Sequence, residues 1–163
     1  MYLPDRIEAP PTQVAISDIL TPEFEAFMDY WNSLRVGAFA PSWKQFDLVA
    51  LNPKSIPRLV VVDVHHGPFD VVVRFWGTGH VQRKGFDKTG TSIAGMPTVR
   101  GPVAFSEYRW VVENRQPFAS RDTVNLLDAV GKPPFHQTLI RLPLSNDGER
   151  VDHIVSLASW ERV

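Results

Sequence analysis

Histidine is the residue that offers this chain of 163 residues the most chemistry, and cysteine, being absent, offers none. Without a thiol there is no disulfide, no thiolate nucleophile, no cysteine-bound zinc and no photochemical cysteine–flavin bond. The five histidines are His65, His66, His80, His136 and His153. His65 and His66 are adjacent in a strand-like run and point to opposite faces, so they do not share a metal ion. No HxxxH or HxH spacing brings three ligands together, and solvated or hydrogen-bonded imidazoles are the expectation. Gly77-Thr78-Gly79 and Gly85 to Gly90 evoke a phosphate loop. Neither matches GxGxxG, and Lys88-Thr89 precedes Gly90 where a Walker sequence needs Gly-Lys-Thr. These glycines are read as turn residues that allow positive φ. Serine occurs without GxSxG. Asp63 and Asp70 flank a turn, but Arg58 and Arg74 lie close by, so ordinary salt bridges are expected there.

The elements that must hold these residues follow from periodicity and punctuation. Thr21-Pro22-Glu23 is a helix start, with a capping hydroxyl, a proline at the first helical position and an acid at the positive dipole end. The helix runs to about Val36, before Gly37, with Phe24, Phe27, Met28, Trp31 and Leu34 on one stripe. A short second helix is expected over Phe46 to Ala50. Leu59 to His66 and Phe69 to Trp76 form a hairpin about Gly67-Pro68. Gly77 to Pro102 reads as short helical turns and loops. A second clear helix runs from Gly101-Pro102 to Asn114, with Ala104, Phe105, Tyr108, Val111 and Val112 inward. Three strands close the chain, Phe118–Leu127, Phe135–Leu144 and Val151–Trp160. The last two are joined by the turn Ser145-Asn146-Asp147-Gly148.

That order predicts an α+β fold: a five-stranded antiparallel sheet with helices on one face and an N-terminal helical extension. Residues 1–16 read as a flexible lead-in and 17–163 as one domain, of which 17–57 are the N-terminal helical segment. The hydrophobic fraction of 44% supplies one sizeable core. A net charge of −1 argues against a general nucleic-acid binder. No apolar run reaches the ~18 residues of a membrane span, and the start lacks a signal peptide's basic and apolar pattern. The cytoplasm is the expected compartment.

Four segments carry a family likeness. Tyr30-Trp31-Asn32-Ser33-Leu34-Arg35 with Pro41-Ser42-Trp43 resembles the opening helix of a PAS-domain family of alphaproteobacteria. Leu59 to Val64 with Val73 to Gly79 resembles that family's first hairpin. Gly85 to Thr91 resembles its next loop, and Leu142-Pro143-Leu144-Ser145 with Gly148 its later hairpin. Val36-Gly37-Ala38-Phe39 and Trp43 depart from the pattern. The resemblance implies a stand-alone sensory or regulatory protein without supplying its ligand.

On this reading an unknown small molecule binds non-covalently between helix and sheet, lined by Phe75, His80, Phe105, Tyr108, Val112 and Ile140, and a separate protein partner reads the change. Phe24, Phe27, Tyr30 and Trp31 would form a homodimer or partner surface. No cofactor is predicted; haem through His80 and non-covalent flavin are the alternatives. A homodimerising interaction module without ligand is the second reading. A small cone-shaped isomerase or dehydratase is the third, and it needs a carboxylate–histidine pair inside the cavity.

Overall fold

The structure, a computed structural model, describes residues 10–96 and 100–163. Most of the proposed lead-in, residues 1–9, therefore lies outside the described residues. Helix α1 spans Pro22–Leu34 and begins as its sequence dictates: the Thr21 hydroxyl accepts the Phe24 N–H at 3.3 Å. Its stripe buries Phe24, Phe27 and Trp31. The Trp31 indole N–H donates to the Pro143 carbonyl at 2.8 Å, so this large side chain enters the core with its one polar atom satisfied. Phe46 meets Phe27 and Tyr30 edge-on. The second helix expected nearby is a single 3₁₀ turn, Leu48–Ala50, and another such turn covers Ile56–Arg58.

Six strands form one antiparallel sheet: β1 Gln13–Val14, β2 Leu59–His66, β3 Phe69–Trp76, β4 Phe118–Leu126, β5 Lys132–Leu144 and β6 His153–Arg162. Their spatial order is β1-β4-β5-β6-β2-β3. The pairing of β6 with β2 joins the β2–β3 hairpin to the β4–β5–β6 meander. Residues expected in the flexible lead-in supply the sixth strand, with Gln13 and Val14 opposite Ser120 and Ala119. Helices α2 (Thr78–Lys84) and α3 (Arg100–Asn114) fall between β3 and β4, and the turn α4 (Leu127–Val130) links β4 to β5.

The expectation of helices on one face is corrected. Leu59, Val61, Ile140, Leu142, Val155 and Leu157 pack with the stripe of α1. Their neighbours Val60, Val62 and Ile154 point the other way and pack with Tyr108 and Val111 of α3. Successive strand residues alternate in direction, and β2, β5 and β6 are apolar at both sets of positions, so both faces need cover. The correction extends to the proposed partner surface. Phe24, Phe27 and Trp31 are each at most 2% exposed and already occupied by the sheet, while Tyr30 lies half-buried against Phe46.

Candidate functional site

The face under α2 and α3 is not filled. Between it and the helices lies a cavity of about 60 Å³, room for about two waters at their liquid volume of ~30 Å³ each.

Close backbone contact fixes its first wall. Gly77 and Gly79 lie so near the Pro57 carbonyl that a Cβ would stand 2.2 and 2.7 Å from its oxygen. Gly77 has φ −58, so packing rather than positive φ explains the glycine there. Gly85 (φ +85) and Gly90 (φ +80) do use the left-handed region. With α2 seated in this way, His80 points inward and its Nε2 reaches the Arg58 carbonyl at 2.9 Å. The imidazole stands between Trp76 and Trp160, at 4.8 and 4.9 Å between ring centres. Lys84 follows one helical turn later, four residues on and on the same side. Its ammonium nitrogen is 5.0 Å from the centre of the Trp76 ring. Along α3, Arg100, Ala104 and Tyr108 face the space at four-residue spacing, and the sheet contributes Gln137, Leu139, Arg141 and Ser156.

Arg141 is the centre of a buried polar network. Its guanidinium donates to the Ser156 hydroxyl at 2.9 Å and to Glu107 Oε1 at 3.2 Å, and it lies 4.1 Å from the centre of the Tyr108 ring. Glu107 is fully buried on α3 and also accepts from Thr12 at 3.3 Å and Ser120 at 3.4 Å. Arg100 is ion-paired with Asp122 and stands 4.0 Å from Glu107. Glu107 lies behind the arginine, so the cavity wall holds three cationic side chains and no carboxylate among the described residues. Among the described residues two buried polar atoms have no hydrogen-bond partner, His80 Nδ1 and Arg141 Nε.

Burial and the charge of Lys84 push the His80 pKa down to about 2, so the ring is neutral. Because its Nε2 hydrogen bonds a carbonyl, Nε2 carries the proton and Nδ1 presents a lone pair. Lys84 is held well below the usual lysine range, first by burial and then by Arg100 and Arg141, with Glu107 opposing. Burial works against the charge of Arg141, but Tyr108 and Glu107 outweigh it and hold its pKa above the usual value.

Of the residues expected to line a pocket, His80 and Tyr108 are on the wall. Phe105 and Val112 pack beside it, Phe105 against Phe69. Phe75 and Ile140 belong to the opposite, α1-covered face. The error is one of parity: a strand's alternation separates two faces without saying which one meets which helix. Lys84, Arg100 and Arg141 were missed. Their signal was a charge at an inward position, most legibly Arg141 within Leu139-Ile140-Arg141-Leu142. Several titratable groups away from the cavity have plain structural partners. Asp63 takes Arg74 at 2.6 Å and His153 at 2.8 Å, and His136 meets Thr123 at 3.0 Å. No group of three metal-ligating side chains occurs among the described residues.

In comparison with known proteins, the chain matches no family model and no curated protein. Among solved structures it is similar to a fungal LOV domain photoreceptor, at 18% identity and a TM-score of 0.42, covering 70% of this chain and 79% of that one. At that level of similarity nothing of the photoreceptor's chemistry transfers to this chain. The cavity as it stands, about 60 Å³, is smaller than the fused rings of flavin or haem. His80, the proposed haem ligand, has Nε2 engaged with the Arg58 carbonyl, which leaves Nδ1 as its free ring nitrogen. No helix among the described residues is long and apolar enough to cross a membrane.

Proposed function

We propose that this chain is a PAS-like sensory domain that binds a small molecule non-covalently between its sheet and α3 and passes occupancy to a separate protein partner. The observation that carries this reading is the cavity between sheet and helices, with His80 Nδ1 and Arg141 Nε unpartnered among the described residues on its wall. Native interiors leave few such atoms, and each one lost to solvent without replacement costs about 1–3 kcal/mol. A ligand that supplies the partners recovers part of that cost. The order of strands and helices, with a hairpin and a meander joined at paired first and last long strands, supports the PAS-like part of this reading.

The same network offers a route outward. Arg141 grips Glu107 of α3, and Glu107 grips Thr12 beside the edge strand β1. A ligand that engages Arg141 redistributes these bonds and biases how α3 and β1 dock, which a partner reads as a population shift. The isomerase or dehydratase reading lacks its requirement, since no carboxylate faces His80 across the cavity among the described residues.

Thermal-shift screening of a metabolite library on the full chain, beside Ala158→Phe, tests the proposal, because Ala158 is on the wall and a larger side chain there occupies the space. Compounds that raise the melting temperature of the parent and not of the filled variant are expected. If no compound distinguishes the two proteins, the sensor reading fails.

A further inference from the structure

The charge on the cavity wall narrows what enters it. Three cations face the space, and two of them are already met by carboxylates: Arg141 by Glu107 and Arg100 by Asp122. Lys84 is the third. It is 8% exposed, and its only close polar or aromatic interaction among the described residues is with the face of Trp76. Its ammonium has no hydrogen-bond acceptor among the described residues, and the one carboxylate that acts on it, Glu107, is already bonded to Arg141, so its charge is poorly compensated. Arg141 Nε, a buried N–H donor without an acceptor, lies on the same wall. Most of the remaining wall is apolar, including Val60, Ile93, Met96, Val124 and Leu139.

We propose that the ligand is a small organic monocarboxylate, its carboxylate held by Lys84 and Arg141 and its carbon body laid against the apolar wall. The inference rests on the sensor reading above and adds the ligand's chemical class. One negative charge answers the one cation that has no carboxylate. An inorganic phosphate brings too much charge for a single unpaired cation and leaves the apolar wall uncovered. The cavity volume of about 60 Å³ limits the acid to a few carbon atoms. His80 Nδ1, a bare lone pair, adds a preference for acids that also carry a hydroxyl donor.

Proton uptake follows from the same arrangement. Lys84 faces Arg100 from α3, Arg141 from β5 and the neutral His80 from its own helix, while Glu107 is the one carboxylate acting on it. In the empty cavity these surroundings disfavour the ammonium form, and an arriving carboxylate favours it. At any pH between the Lys84 pKa values of the free and bound protein, binding therefore takes up a proton and affinity falls as pH rises.

The experiment is titration calorimetry on the full chain with acetate, butyrate, 2-hydroxybutyrate and hexanoate, and with butyramide, inorganic phosphate and chloride. It is run in two buffers of different ionisation enthalpy. At least one monocarboxylate is expected to bind tenfold or more tightly than butyramide and phosphate, with net proton uptake. Lys84→Met keeps the apolar stem, and it is expected to lose at least tenfold in carboxylate affinity while its melting temperature without ligand stays the same or rises. The second readout separates lost binding from lost folding. Equal binding of chloride or phosphate overturns the proposal, as does full carboxylate affinity in Lys84→Met. If no carboxylate binds but neutral library compounds stabilise the parent over Ala158→Phe, the ligand class is wrong and the sensor reading stands. If nothing binds at all, both fall.

Discussion

The two faces of this sheet are covered by helices of similar length and built on opposite principles. Under α1 the packing is apolar, and the indole nitrogen of its largest side chain, Trp31, has its partner at 2.8 Å. Under α3 the sheet presents Gln137, Arg141 and Ser156 among its apolar side chains, Glu107 is fully buried, and space is left open. Stability resides in close-packed apolar contact, whereas a buried ionic network is a weak source of it and specifies geometry instead. The contrast assigns different work to the two faces: the α1 face holds the domain together, and the α3 face holds polar groups in readiness.

Substitutions on each side test that division. Trp31→Ala removes the largest side chain of the dry face along with its bond to Pro143, and should cost about 3–5 kcal/mol in urea unfolding while any ligand still binds the folded fraction. Glu107→Gln leaves Arg141 and Arg100 short of a buried counter-charge and should cost about 3 kcal/mol. Unlike the tryptophan variant, it should also loosen α3 and β1, read as faster amide exchange over residues 100–114 and 13–14. A variant with faster exchange under α1 but not under α3 would reverse the assignment of roles.

The wet face should also respond to acid where the dry face does not. The His80 pKa is depressed in the folded protein to about 2, against an unfolded value near 6.5. Above that unfolded value both states are neutral and His80 contributes no pH dependence. As pH falls below about 6.5 the unfolded state binds the proton first, so stability drops by up to about 1.4 kcal/mol per pH unit until the folded pKa is reached. His80→Gln retains a donor toward the Arg58 carbonyl and should flatten that slope, measured as the urea midpoint against pH. An unchanged slope would remove His80 from the account. The smallest effect is expected at the rim, where Arg74 is half-exposed beside Asp63, and Arg74→Ala should cost less than about 1 kcal/mol.

The sequence made the elements legible because their signals are local. The cap at Thr21, the β-branched run before Gly67-Pro68 and the turn at Ser145 to Gly148 each act within a few residues, and α1, the β2–β3 hairpin and the β5–β6 hairpin stand where they point. The site was less legible because it depends on which face meets which helix. Phe75 and Ile140 look as suitable for a pocket as Val60 and Leu139, and only the docking of α1 and α3 separates them. The same docking turned the aromatic stripe of α1, read as a partner surface, into core. Glu107 and Arg141 are ordinary surface residues when read singly. They become informative once α3 is laid across β5 and the two charges meet in the interior.

The contact of Gly77 and Gly79 with Pro57 bears on how this domain can be trimmed. A minimal version beginning at the first long strand, Leu59, would keep all five long strands and both cavity helices. It would also discard the backbone on which α2 rests and the Arg58 carbonyl that sets the tautomer of His80. Such a fragment would retain the walls of the cavity but not the seat of one of them. Any shortened version of this chain should therefore carry the N-terminal segment through Arg58 intact.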